Sequence, residues 1–154
     1  MNPRLLRWLL NIYPPYLGAG VRVTHVAADW RRIDVEMPLR FFNRNYVGTH
    51  FGGSLYSMVD PHAMLLLIQC LGRDYIVWDR AATIDFVKPG RGTVKARIEI
   101  DDAMLDDIRQ HTDAGDRSLP ELRLSIRDAE GQVVANVTKR LYVKRKAGQD
   151  RTAD

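Results

Sequence analysis

The chain has 154 residues, of which 45% are hydrophobic and 27% charged. That suits one globular domain with a real core. Its formal net charge of +4 favours anionic ligands, but no basic run is interleaved with aromatics, which argues against nucleic-acid binding. A single cysteine, Cys70, excludes an internal disulfide and fits a reducing, cytoplasmic compartment.

Asn2-Pro3 followed by RLLRWLLNIY predicts a short helix with Asn2 as N-cap and Pro3 at the first position, ending at Pro14-Pro15. A signal peptide and a membrane-surface helix compete with packing on the domain. Arg7 interrupts the apolar run and no clean small-residue cleavage site follows before the folded part begins, so packing is the expectation. Val21 to Ala28 and Arg31 to Leu39 alternate apolar with polar residues and predict two strands, joined by a turn at Ala28-Asp29-Trp30.

Asn45 to Leu71 reads NYVGTHFGGSLYSMVDPHAMLLLIQCL. A polar loop containing Gly48, Gly52 and Gly53 runs into the longest apolar segment of the chain. Ser54, Leu55, Met58, Val59, Ala63, Leu66, Leu67 and Cys70 recur at helical spacing. The segment is apolar on nearly every side, so other structure should wrap it. It is too short between breaks to span a membrane. Pro61 carries no backbone N–H, which predicts a bend or break at Asp60-Pro61.

Gly72 predicts a helix stop. Tyr75 to Val87 predicts a third strand, with Ala82, Ile84 and Phe86 on one face and Ala81, Thr83, Asp85 and Val87 on the other. Lys88 to Gly92 is a turn and Thr93 to Ile100 a fourth strand. Asp101 to His111 predicts an acidic helix and Thr112 to Pro120 a mobile loop. A hairpin closes the chain, with Leu122, Leu124 and Ile126 leading to Asp128-Ala129-Glu130-Gly131 and Val133 to Val143 returning. Lys144 onward is polar, giving a single domain over 1–146 and a disordered tail over 147–154. Consecutive strands around one apolar helix imply an α+β fold with an antiparallel sheet and helices on one face.

With these residues the chain resembles the hotdog fold, a curved antiparallel sheet wrapped around a long central helix. It is most similar to phenylacetyl-CoA-type acyl-CoA thioesterases, in an uncharacterised thioesterase-like branch of that superfamily. The family pattern is Asn-x-x-Gly-x-x-His-Gly-Gly, six residues, then a catalytic Asp. Asn45, Gly48, Gly52, Gly53 and Asp60 fall in register with it. Three features depart from it: Phe51 stands where the pattern has histidine, with His50 one place early; Pro61 follows Asp60; and the acidic segment Asp101 to His111 is extra.

The resemblance implies an acyl-CoA thioesterase. Asp60 would be base or nucleophile, Gly52 and Gly53 the oxyanion loop, and Asn45 an orienting group. His50, Phe51 and Asp79 would lie against the substrate, and Lys88 and Arg91 against coenzyme A phosphates. It also implies a homodimer or dimer of dimers, with the carboxylate supplied by the facing subunit. No cofactor is implied beyond coenzyme A as part of the substrate. The chemistry fits these residue types. Helix N-terminal N–H groups stabilise a developing oxyanion, and a carboxylate can attack a thioester or take a proton from water.

A structural reading stands beside each assignment. Asp60 can cap the helix restarting at Pro61, Asn45 can be a loop residue, and His50 can be structural. Asp79 can pair with Arg80, while Lys88 and Arg91 can be a solvated turn. Asp60 and His62, two apart on a helix, point to different sides, and no Cys/His cluster exists, so no metal site is expected. The alternatives to a hydrolase are a non-catalytic acyl-CoA-binding module and, with less support, an acyl-thioester hydratase or dehydratase.

Overall fold

The computed structural model describes residues 2–146. Helix α1 spans Pro3–Ile12, and the Asn2 side chain accepts from the Arg4 N–H at 2.9 Å. The Pro14-Pro15 pair starts a second helix instead of only ending the first: α2 spans Pro14–Ala19, with proline in its first turn. Proline suits that position because an N-terminal N–H has no helical acceptor anyway.

Strands β1 (Arg22–Val26) and β2 (Arg32–Pro38) form the expected hairpin. Its turn places Trp30 at a positive φ of 62°. The central segment is two helices, α3 (Gly52–Ser57) and α4 (His62–Leu71), broken at a cis Asp60-Pro61 peptide. Leu55, Met58, Val59, Ala63, Leu66 and Leu67 are all buried. Met64, Leu65 and Ile68 are only half-buried, so the helix is covered on fewer sides than its composition implies.

Strands β3 (Tyr75–Phe86) and β4 (Thr93–Glu99), helix α5 (Asp102–Asp113), a short β5 (Arg117–Ser118), and strands β6 (Glu121–Arg127) and β7 (Val133–Arg145) follow. Asp101 caps α5, its side chain accepting from the Met104 N–H at 2.8 Å. Leu105, Ile108 and Thr112 form the buried stripe of α5. Two expectations fail here. Thr112 to Pro120 is not a free loop: the helix runs through Asp113, and β5 pairs with Lys144 and Val143 of β7. The reason is length, since β7 outlasts β6 and its last backbone groups need a partner. Lys144 and Arg145 are accordingly strand residues, and the tail expected over 147–154 lies outside the described residues.

All pairings are antiparallel, in the order β1-β2-β4-β6-β7-β3. Inward residues of β2, β4 and β7 pack with α3 and α4 into one core. This is the hotdog arrangement, a curved sheet around a central helix. Strand β3 is its long outer edge.

One irregularity on that edge decides the site. Asp79 lies opposite Leu141 and Ala81 opposite Arg140, so Arg80 is bulged out of the ladder. A one-residue bulge reverses the alternation beyond it. Asp79 therefore shares the inward face with Ala82, Ile84 and Phe86, whose partners Lys139, Val137 and Ala135 are all buried.

Candidate active site

The central loop is stapled by Asn45. Its Nδ2 donates to Thr49 Oγ1 at 2.9 Å and to the His50 carbonyl at 3.2 Å, while its Oδ1 accepts from the Thr49 N–H at 3.0 Å. His50 is buried, with Nε2 2.9 Å from the Gly92 carbonyl and its own N–H donating to the Gly90 carbonyl. Burial moves the His50 imidazole below its usual range, with Gly92 opposing.

Phe51 caps α3 and its ring is exposed. Gly52 and Gly53 open α3, and their N–H groups have no hydrogen-bond acceptor among the described residues. A Cβ on Gly52 would sit 2.9 Å from the exposed Phe86 ring, so any larger residue there would push that ring aside. A groove of about 410 Å³ lies here, lined by Asn45, His50, Gly52, Phe86 and Lys88 among others. Lys88 Nζ is 2.5 Å from Asp128 and also donates to Gln132, so it is no free cation. Arg91 is exposed.

Asp60 belongs to a second cluster, built around a residue the sequence reading passed over. Lys139 is wholly buried, and its ammonium pairs with Asp60 and, at 3.1 Å, with Asp79. The Tyr56 hydroxyl is 3.3 Å from both Lys139 Nζ and Asp60 Oδ1, and the ammonium lies 5.3 Å from the Tyr56 ring centre. Asp79 thus pairs with Lys139, whereas Arg80, expected beside it, is the bulged residue. The signal for Lys139 was present: it interrupts the inward series Val137, Lys139, Leu141, Val143, where a lysine requires a partner.

The electrostatics follow from burial and neighbours. Burial raises the Asp79 carboxyl above the ordinary range; Lys139 opposes this and Asp60 adds to it. Burial pulls the Lys139 ammonium down, but the two carboxylates outweigh it and the net direction is up. Tyr56 is raised, mainly by burial. Asp60 remains partly open to solvent, its side chain 38% exposed against 0% for Lys139. The Asp60 carbonyl accepts from the Tyr16 hydroxyl at 2.5 Å, and that hydroxyl lies 3.1 Å from His62 Nε2.

His62 gives a pH prediction. Burial lowers its imidazole from 6.5 to about 4; Lys139 adds to this and Asp60 opposes it. Below pH 6.5 the unfolded chain takes up a proton that the folded chain refuses until about pH 4. Stability is therefore lost as pH falls through that window, by on the order of 3 kcal/mol. Urea unfolding from pH 7 to 4 should show the slope, and His62→Gln should flatten it. An unchanged slope in the variant assigns the loss to other groups.

The structure brings Asn45, His50, Gly52 and Lys88 to one groove and Asp60, Asp79, Lys139 and Tyr56 to another cluster. Asp60 does not line the groove.

Solved structures share this fold. A protein from Pseudomonas aeruginosa, described as of unknown function and a probable thioesterase, aligns with a TM-score of 0.80 at 17% identity, over 94% of this chain and 97% of that one. A thioesterase from Haemophilus influenzae aligns at 0.69 and 15%, over 98% and 96%. A mutant of a phenylacetic acid degradation protein from Thermus thermophilus aligns at 0.58 and 23%, over 85% and 98%. At such identities the likeness is one of fold. No curated protein matches the chain. The family model described as a domain of unknown function, DUF4442, matches residues 2–143, and the chain belongs to that family.

Proposed function

We propose that the protein is an acyl-thioester hydrolase acting on acyl-CoA, with its site shared between two copies of the chain. The observation that carries the reading is the placement of Asp60: a partly exposed carboxylate, counter-charged by a buried lysine, beside the edge strand β3 of the sheet. A thioester carbonyl would sit at the first turn of α3, where the Gly52 and Gly53 N–H groups receive the developing oxyanion. Asp60 of the facing copy either takes a proton from the attacking water or attacks the carbonyl carbon itself, giving a mixed anhydride that a water molecule then hydrolyses to restore the carboxylate. The C–S bond breaks, the thiol leaves with a proton, and the free acid remains. Separation of Asp60 from the groove within one chain supports such a shared site. Thiol release from a panel of acyl-CoAs, with double-bond hydration assayed in parallel, tests the reaction class.

A second copy is expected along β3. Among the described residues this twelve-residue strand pairs on one side only and carries exposed Ile76, Trp78 and Phe86, and an edge of this kind pairs readily. Light scattering should give a dimer or larger at micromolar concentration. A stable monomer overturns the shared site.

Coenzyme A phosphates are assigned to the turn carrying Lys88 and Arg91, with Arg91 as its exposed cation and Lys88 reaching a phosphate only by releasing Asp128 and Gln132. Arg91→Glu should weaken coenzyme A binding and flatten its salt dependence, because exposed charge pairs are screened. Lys88→Glu should do the same and also loosen the turn, since it sets Glu against Asp128. Titration calorimetry with free coenzyme A reads both. Unchanged affinity in both variants puts the phosphates elsewhere.

A further inference from the structure

Helix α1 has two apolar faces, and the core uses only one. Leu6 and Leu10 are buried, whereas Leu5, Trp8, Leu9 and Ile12 are 49%, 58%, 40% and 46% exposed. At helical spacing these four form a single outer stripe about 100° wide. Tyr13, the residue that joins α1 to α2, and Leu17 on α2 are exposed as well. Beyond Leu17 a groove of about 530 Å³ leads to the ring pair Phe41–Phe42, with Phe41 85% exposed.

Charge identifies the occupant. No Asp or Glu occurs between residues 1 and 28, or between 39 and 59, the two segments that build this surface. The charged residues there are Arg4, Arg7, Arg22, Arg40 and Arg44, all exposed. Arg22 faces Glu36 at 3.6 Å, and Arg7 donates to the Thr24 carbonyl. Arg4, beside the stripe, and Arg40 and Arg44, flanking the Phe pair, make no side-chain hydrogen bond or ion pair among the described residues. A second copy docked face to face would bring these cations together. Moreover, α1 packs on β1, at the opposite edge of the sheet from β3, where a copy is already expected.

We propose that this face docks on an anionic lipid surface. The apolar stripe enters the boundary between headgroups and acyl chains, Trp8 and Tyr13 lie at headgroup level, and the arginines meet lipid phosphates. This is peripheral binding, for no helix among the described residues is long and apolar enough to span a membrane. The proposal is independent of the reaction assigned above.

Flotation of the full chain with vesicles tests it. The protein should float with phosphatidylcholine vesicles containing phosphatidylglycerol and stay behind with phosphatidylcholine alone. Trp8→Ser/Leu9→Ser should abolish flotation while leaving the circular dichroism spectrum and thermal midpoint unchanged, since both side chains are exposed. Arg4→Glu should weaken it about tenfold. No flotation with anionic vesicles, or undiminished flotation of the double variant, overturns the proposal. So does a double variant that keeps its flotation but loses mass in light scattering, which would make the face a contact between copies.

Discussion

Asp60→Asn should reduce thioester turnover by roughly 10²–10⁴-fold with little change in substrate binding, the signature of losing a reacting base or nucleophile. The two side chains are nearly isosteric. What disappears is the charge that attacks the carbonyl or accepts water's proton. The fold should survive, because Lys139 keeps Asp79 at 3.1 Å and Asn can still accept from the ammonium. The break at Pro61 should persist as well, since it comes from the proline's missing N–H and Asp60 makes no cap hydrogen bond to α4. If Asp60 serves only as a structural partner of Lys139, activity should stay within a few-fold of wild type. An active wild type with an equally active Asp60→Asn therefore rejects the mechanism. A wild type that binds acyl-CoA without releasing thiol selects a binding module instead.

The fold was legible in the sequence because its periodicities are local. Inward Ile33, Val35 and Met37 on β2, the glycine loop before α3, and the Asp128–Gly131 turn each announce themselves within a few residues. The break at Asp60-Pro61 followed from the missing proline N–H. The site was legible only in part, because its charges meet across strands distant in sequence. Strict alternation from Ala81, Thr83 and Asp85 sends Asp79 to the outer face, away from the core. The bulge at Arg80 cancels that, and no residue in Trp78-Asp79-Arg80-Ala81 is a glycine that would mark one. Lys139 was hidden differently. In the stretch Thr138-Lys139-Arg140 it reads as one of two surface cations until the inward position is counted from Val137 and Leu141.

Lys139 carries the second large prediction. Its ammonium is the shared counter-charge for two carboxylates, and it is the one member of the cluster with no access to water. Lys139→Met keeps roughly the volume and leaves Asp60 and Asp79 facing each other without it. Breaking a buried pair from one side costs about 3–5 kcal/mol. The partial exposure of Asp60 places this case near the lower end, at about 3 kcal/mol. The pH dependence has a definite sign. The folded value of Lys139 is raised, so its contribution is complete below the ordinary lysine range and fades only as pH climbs through the raised value. In the methionine variant the two carboxylates share a proton instead. The variant should therefore lose less stability at pH 5 than at pH 8, and the acidic limb of its rate profile should move to higher pH. Removing one of the two charges should relieve the strain, so Lys139→Met/Asp79→Asn should be more stable at pH 8 than Lys139→Met alone. Chemical denaturation of the three proteins at both pH values measures this. A Lys139→Met protein as stable as wild type at pH 8, with an unshifted rate profile, would show that the lysine does not hold the two carboxylates together.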